Sequence, residues 1–144
     1  MRHFKALALM LVLSAIAVPT ALAANPHFIG TPQLTQSGST ITVSFKAAGL
    51  GNVSEASFTL SGTVDVSSRC YTRKGNTPQA ANKQETIAVS DTKTFPVSNG
   101  KTVGTFTITA ESTLTCPGGQ RVVVESVTYD LTLSGQGITY YFVS

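Results

Sequence analysis

Between Thr40 and Ala47 every second residue is apolar: Ile41, Val43, Phe45 and Ala47 alternate with Thr42, Ser44 and Lys46. Successive side chains of a strand point to opposite sides, so this pattern suits a strand with one face in a core and the other in water. It returns in Glu55–Cys70 as Ala56, Phe58, Leu60, Val64, Val66 and then Cys70. It returns again in Lys101–Cys116 as Phe106, Ile108, Ala110, Leu114 and Cys116. After Ala24 no apolar pattern at helical spacing outlasts a single turn. Gly62 interrupts the second run in phase, where a bulge or bend is expected. Further strands are expected at Phe28–Thr35, at about Gln84–Ser90, at Arg121–Thr132 with Val123, Val127, Tyr129, Leu131 and Leu133 inward, and at Ile138–Val143. Ser37-Gly38, Gly49-Leu50-Gly51-Asn52, Ser98-Asn99-Gly100, Pro117-Gly118-Gly119 and Gly135-Gln136-Gly137 supply the turns between them. About seven antiparallel strands in one chain of this length predict an all-β sandwich of immunoglobulin-like size. The Trp that packs on the disulfide of antibody domains is missing. Thr72–Lys83 is polar and turn-rich, and is expected to be a loop longer than a hairpin needs.

The first segment belongs to export rather than to the fold. Arg2 and Lys5 precede the apolar stretch Ala6–Val18, and Ala21-Leu22-Ala23 forms a small-residue exit. That is the grammar of a secretory signal peptide. Its apolar stretch, about 13 residues, falls short of the roughly 20 that cross a bilayer as a helix. Cleavage is expected after Ala23, leaving a single domain, 24–144, that is secreted, extracellular and free of membrane. Arg2 and Lys5 leave with the leader, so ten basic residues become eight against seven acidic ones and the net charge falls to +1. Such a chain lacks the basic footprint that nucleic acid requires. With 42% hydrophobic and 12% charged residues it is also too apolar for disorder.

Two cysteines remain, Cys70 and Cys116. An even count in an exported chain favours a disulfide. Both sulfurs sit in the inward phase of their expected strands, at the C-terminal ends, which argues that they meet at one pole of the sandwich. Closing a loop of about 45 residues is worth up to about 4 kcal/mol of chain entropy. A tetrahedral zinc site would need four ligands, more than two Cys and one His supply.

Catalytic chemistry is excluded mainly by shortage. His27 is the single histidine of the mature chain, it lies near the expected new N-terminus, and no Gly-x-Ser-x-Gly elbow occurs. The acidic residues are scattered over mostly outward positions, which does not make a glycosidase pair. A copper site built on the new amino terminus fails as well. Were the cut after Ala24, the second residue would be Pro26, which has no N–H to give up. The chain is therefore read as no enzyme, with no cofactor and no metal. One candidate contact surface remains. Tyr71 follows Cys70, and Arg69, Arg73, Lys74 and Lys83 frame the 72–83 segment, where they are suited to an anionic polymer such as an extracellular polysaccharide or another cell-surface component. The low charge density favours a solvated polar loop over a dedicated site. Asn52-Val53-Ser54 is a glycosylation sequon, relevant only in a eukaryotic source.

The leader, Ala48-Gly49-Leu50-Gly51-Asn52, Cys70 followed by Gly75-Asn76-Thr77-Pro78 and Asn82, the Asn99-Gly100 turn and Cys116-Pro117 together resemble a group of small secreted proteins of actinobacterial and other soil-bacterial genomes. That group has no established activity, so the resemblance implies export and a disulfide rather than a mechanism. The functional expectation is a non-enzymatic secreted sandwich that contacts extracellular surfaces or polymers. The alternatives are a pilin-like subunit of a surface fibre, pairing through Ile138–Val143, and a weak carbohydrate-binding module.

Overall fold

A computed structural model of the protein describes residues 25–144; the expected signal peptide, 1–23, lies outside them. The described residues form eight strands: β1 (His27–Phe28), β2 (Gln33–Ser37), β3 (Thr40–Ala48), β4 (Glu55–Thr72), β5 (Pro78–Pro96), β6 (Thr102–Thr109), β7 (Gln120–Gly135) and β8 (Ile138–Val143). The expected strand Phe28–Thr35 divides into β1 and β2, because Gly30-Thr31-Pro32 breaks the ladder and Pro32 has no N–H to donate to it. In the first sheet β1 and β2 pair in succession along one side of β3, and β6 pairs along the other. The second sheet has the order β5-β4-β7-β8, and every pairing in both sheets is antiparallel.

The alternation read from the sequence is the alternation of burial. Ile41, Val43, Phe45 and Ala47 of β3 and Phe106 of β6 face Ala56, Phe58, Leu60, Val64 and Val66 of β4 and Leu131 and Leu133 of β7 across one core. The Phe45 ring sits at its centre, 4.7 Å from Phe58 and 5.4 Å from Phe95 between centroids. Gly104 makes room for it, since a Cβ there would lie 2.4 Å from the Phe45 ring. Ser98-Asn99-Gly100-Lys101 and Gly135-Gln136-Gly137-Ile138 close tight turns, as expected. In the second, Gln136 and Gly137 both have positive φ, the two-residue turn whose twist matches the flanking strands.

Four expectations are corrected. Thr72–Lys83 is no long loop: β5 begins at Pro78, and a short turn held by Thr72 N–H donating to Thr77 O (2.9 Å) joins it to β4. Hairpin pairing with β4 claims the polar residues that looked loop-like. β6 stops at Thr109, so Cys116 lies outside any strand, although alternate residues of 110–116 still turn inward. No bulge occurs at Gly62, whose register with Val89 and Leu131 is unbroken. Gly62 has φ 135°, and the Asp130 carbonyl oxygen stands 2.1 Å from where a Cβ would be, so close approach of β7 explains the glycine. The bulge between β4 and β7 falls instead where Ser67 faces Ser126 and Ser68 faces Val124, leaving Glu125 as the extra residue. One extra residue reverses the phase of a strand, so Val124 rather than Val123 packs against the core.

Candidate functional site

β4, β5 and β7 run 18, 19 and 16 residues, whereas β3 and β6 of the facing sheet run only 9 and 8. The second sheet therefore outreaches the first at the Cys70 end, and residues 110–119 cross its inner face as a strap. Ala110 N–H donates to Ser39 O (2.8 Å) where the strap leaves β6. The Glu85 carboxylate, inward on β5, accepts from Thr113 N–H (2.9 Å), from the Thr113 hydroxyl and from Ser112 Oγ (3.2 Å). These bonds, the Thr113 hydroxyl first, hold the Glu85 carboxyl below its ordinary pKa. The fully buried Ser68 bonds Ser112 hydroxyl to hydroxyl at 2.5 Å. The Cys70–Cys116 disulfide pins the far end, with Cα atoms 5.7 Å apart. The expected pairing of the two sulfurs at one pole is thus present.

On the outer face of the same sheet the bulge aims Glu125 at two neighbours. Its Oε1 accepts from Tyr71 Oη (2.7 Å) and lies 3.2 Å from Arg69 Nε. Donating to that carboxylate raises the Tyr71 pKa above its ordinary value. Arg69 also donates to Gln79 O (3.1 Å). Of the five residues singled out from the sequence, the fold brings Arg69 and Tyr71 together around Glu125. Arg73 lies at the end of the hairpin, where its Nε donates to Gln120 O (3.3 Å), and Lys74 occupies the turn. Lys83 is on the opposite face, bonded to Thr113 Oγ1 at 2.5 Å and 3.6 Å from Glu85, so it belongs to the strap. Glu125 and Arg121, which bonds Asn76 Oδ1, escaped the sequence reading. Neither carries a local signal, since it is the bulge and the hairpin that bring them alongside Tyr71 and Asn76.

Beside this cluster the outer face sinks into an open trough of about 500 Å³. Its side chains come from three neighbouring strands: Asp65 and Ser67 of β4, Gln84 and Thr86 of β5, and Ser126 and Thr128 of β7. Thr86 Oγ1 donates to Asp65 Oδ1 (2.6 Å), which fixes the carboxylate. Ser67 and Arg69 occupy alternate positions of β4, so the trough and the Arg69–Glu125–Tyr71 cluster share one face about 7 Å apart. Donors and acceptors converge there, but among the described residues no imidazole stands by a hydroxyl of the trough. His27 is on β1 in the other sheet, its Nδ1 2.8 Å from Asn25 O. Among the described residues no group of three His, Cys, Asp or Glu is placed to hold a metal ion, and no helix is long and apolar enough to cross a membrane. The sequence matches no protein-family model and no curated protein significantly.

Proposed function

We propose that the protein is an exported, non-enzymatic binding module that meets a polyhydroxylated extracellular polymer on the outer face of its four-stranded sheet. The observation that carries this reading is the trough: six hydrogen-bonding side chains from three strands converge in one open concavity. Sites on strands are held more rigidly than sites on loops, and an open, shallow shape suits a chain that passes over the surface better than a ligand to be enclosed. The Arg69–Glu125–Tyr71 cluster extends the same face and offers a phenol edge and a charged pair to a further sugar unit. An immunoglobulin-like plan supports the assignment to secreted recognition modules. What supports that plan is the order β1/β2-β3-β6 against β5-β4-β7-β8, read as an immunoglobulin-like sandwich whose fourth strand joins the opposite sheet. Export is supported by the leader grammar of residues 1–23 and by the disulfide.

Retention on insoluble cellulose, chitin and bacterial cell-wall glycan tests the reading. Asp65→Ala and Thr128→Val are expected to weaken retention about tenfold each, the worth of one hydrogen bond to a charged or well-placed partner. Tyr71→Ala is expected to weaken it less. Wild-type protein that passes through all three matrices, or variants retained as well as wild type, would defeat the proposal.

A further inference from the structure

The four sheet edges of the sandwich are not equally protected. An open edge presents unpaired N–H and C=O groups that invite another strand, and proteins blunt it with charge, proline, shortness or a covering side chain. β5 begins and ends on proline and carries Lys83, Glu85, Asp91 and Lys93. The β1/β2 edge is cut into strands of two and five residues by Gly30-Thr31-Pro32. β6 is uncharged, but β5 lies across it: Lys93 Nζ sits 5.5 Å over the Phe106 ring, and Thr102 Oγ1 donates to Pro96 O (2.8 Å).

β8 has none of these devices. Its six residues, Ile138 to Val143, contain no charge, proline or glycine and no break in register with β7. The direction of its backbone groups follows from its end. Ser144 N–H donates to Tyr129 O (3.0 Å), so Phe142, Tyr140 and Ile138 turn their N–H and C=O toward β7. Thr139, Tyr141 and Val143 consequently direct theirs to the open side. The side chains of Tyr141 and Val143 are 68% and 69% exposed, while Phe142 between them is buried. Among the described residues no strand pairs with this edge.

We infer that β8 pairs antiparallel with β8 of a second copy of this chain, around a two-fold axis through Tyr141. Self-pairing fits this edge because its complement is itself. The axis sets Tyr141 against Tyr141 and, once on each side of it, Thr139 against Val143, so three pairs each exchange two backbone hydrogen bonds, six in all. No like charges meet, because the segment has none. The two tyrosines meet side by side on the outer face, where cross-strand aromatic pairs stabilise a sheet. Joining the edges makes one eight-stranded sheet whose outer faces continue from one protomer to the next. The pairing stands whether or not the trough binds a polymer; if it does, the dimer presents two troughs on one side and binds with avidity. A contact of one strand per protomer is small, so association is weak and concentration-dependent.

Sedimentation velocity of the mature protein up to about 1 mM, the weak end of specific association, tests the pairing. Wild type is expected to shift from monomer to dimer, and Tyr141→Phe to do the same. Tyr141→Lys and Tyr141→Glu are expected to stay monomeric alone, since each sets like charges together on the axis, and to form dimers when mixed. Unchanged circular dichroism and melting of these variants, which alter an exposed side chain, shows that folding is not the cause. A wild type that stays monomeric overturns the inference, as do charged variants that still dimerise alone or a mixture that stays monomeric. A ladder of larger assemblies overturns the closed two-fold and points to open edge-to-edge fibres.

Discussion

The two ends of the sandwich are stabilised by different physics. At one end two sheets cover each other, and Phe45, Phe58, Phe95 and Phe106 pack with centroids 4.7–6.3 Å apart. At the other, three long strands outrun the facing sheet, and a strap without secondary structure stands in for the missing layer. There the work of burial passes to a disulfide, a carboxylate with three donors and a pair of serine hydroxyls. Where apolar layers are matched, packing suffices. Where one layer falls short, covalent and polar ties close the gap, and the outer side of that same extension carries the trough and the Arg69–Glu125–Tyr71 cluster.

The contrast is sharpest if each end is damaged in turn. Phe58→Ala at the packed end removes a fully buried ring that touches Phe45 and Phe95, and is expected to cost about 3–5 kcal/mol. Denaturant unfolding measures it, and a loss under about 1 kcal/mol would mean that the packed end is not the main source of stability. The double change Cys70→Ala, Cys116→Ala frees the strap and is expected to cost up to about 4 kcal/mol through the loop it reopens between cysteines 46 positions apart. Its signature is local: amide exchange rises in 110–126 more than in β3 and β6. Uniform acceleration would show instead that the two ends unfold as one unit.

The smallest effect is expected from acid. The Glu85 pKa is lowered in the folded chain, so its stabilisation is complete above the ordinary carboxylate value and is lost as pH falls through the lowered one. The protection of the Thr113 and Leu114 amides, taken relative to their intrinsic exchange rates at each pH, should therefore fall on acidification in wild type. In Glu85→Gln the same amides should already be less protected at neutral pH, with a protection that changes little as pH falls. Equal profiles for the two proteins would remove Glu85 as the anchor of the strap.

Period-two alternation made β3, the first half of β4 and most of the core legible in advance, because burial on one face of a strand writes itself directly into sequence. Val123 was misplaced for the same reason. An inserted residue at Glu125 reverses the phase, and alternation alone holds no marker for where a partner strand forces a bulge. Thr72–Lys83 misled because turn-rich residues on an edge strand look like a loop until the hairpin partner is known. Arg69 and Tyr71 were visible as a basic and aromatic pair near Cys70, but Glu125, 54 positions beyond Tyr71, was not.

Composition and pattern alone determined that this chain is built of strands and that its two sulfurs share an inward phase, since both follow from residue type and near spacing. Only the folded molecule decided the unequal length of the two sheets, the strap that compensates for it, the trough shared by three strands and the bulge that sets Glu125 beside Arg69 and Tyr71. Those depend on register between segments distant in the chain, and register is set by the whole core acting together rather than by any strand's own residues.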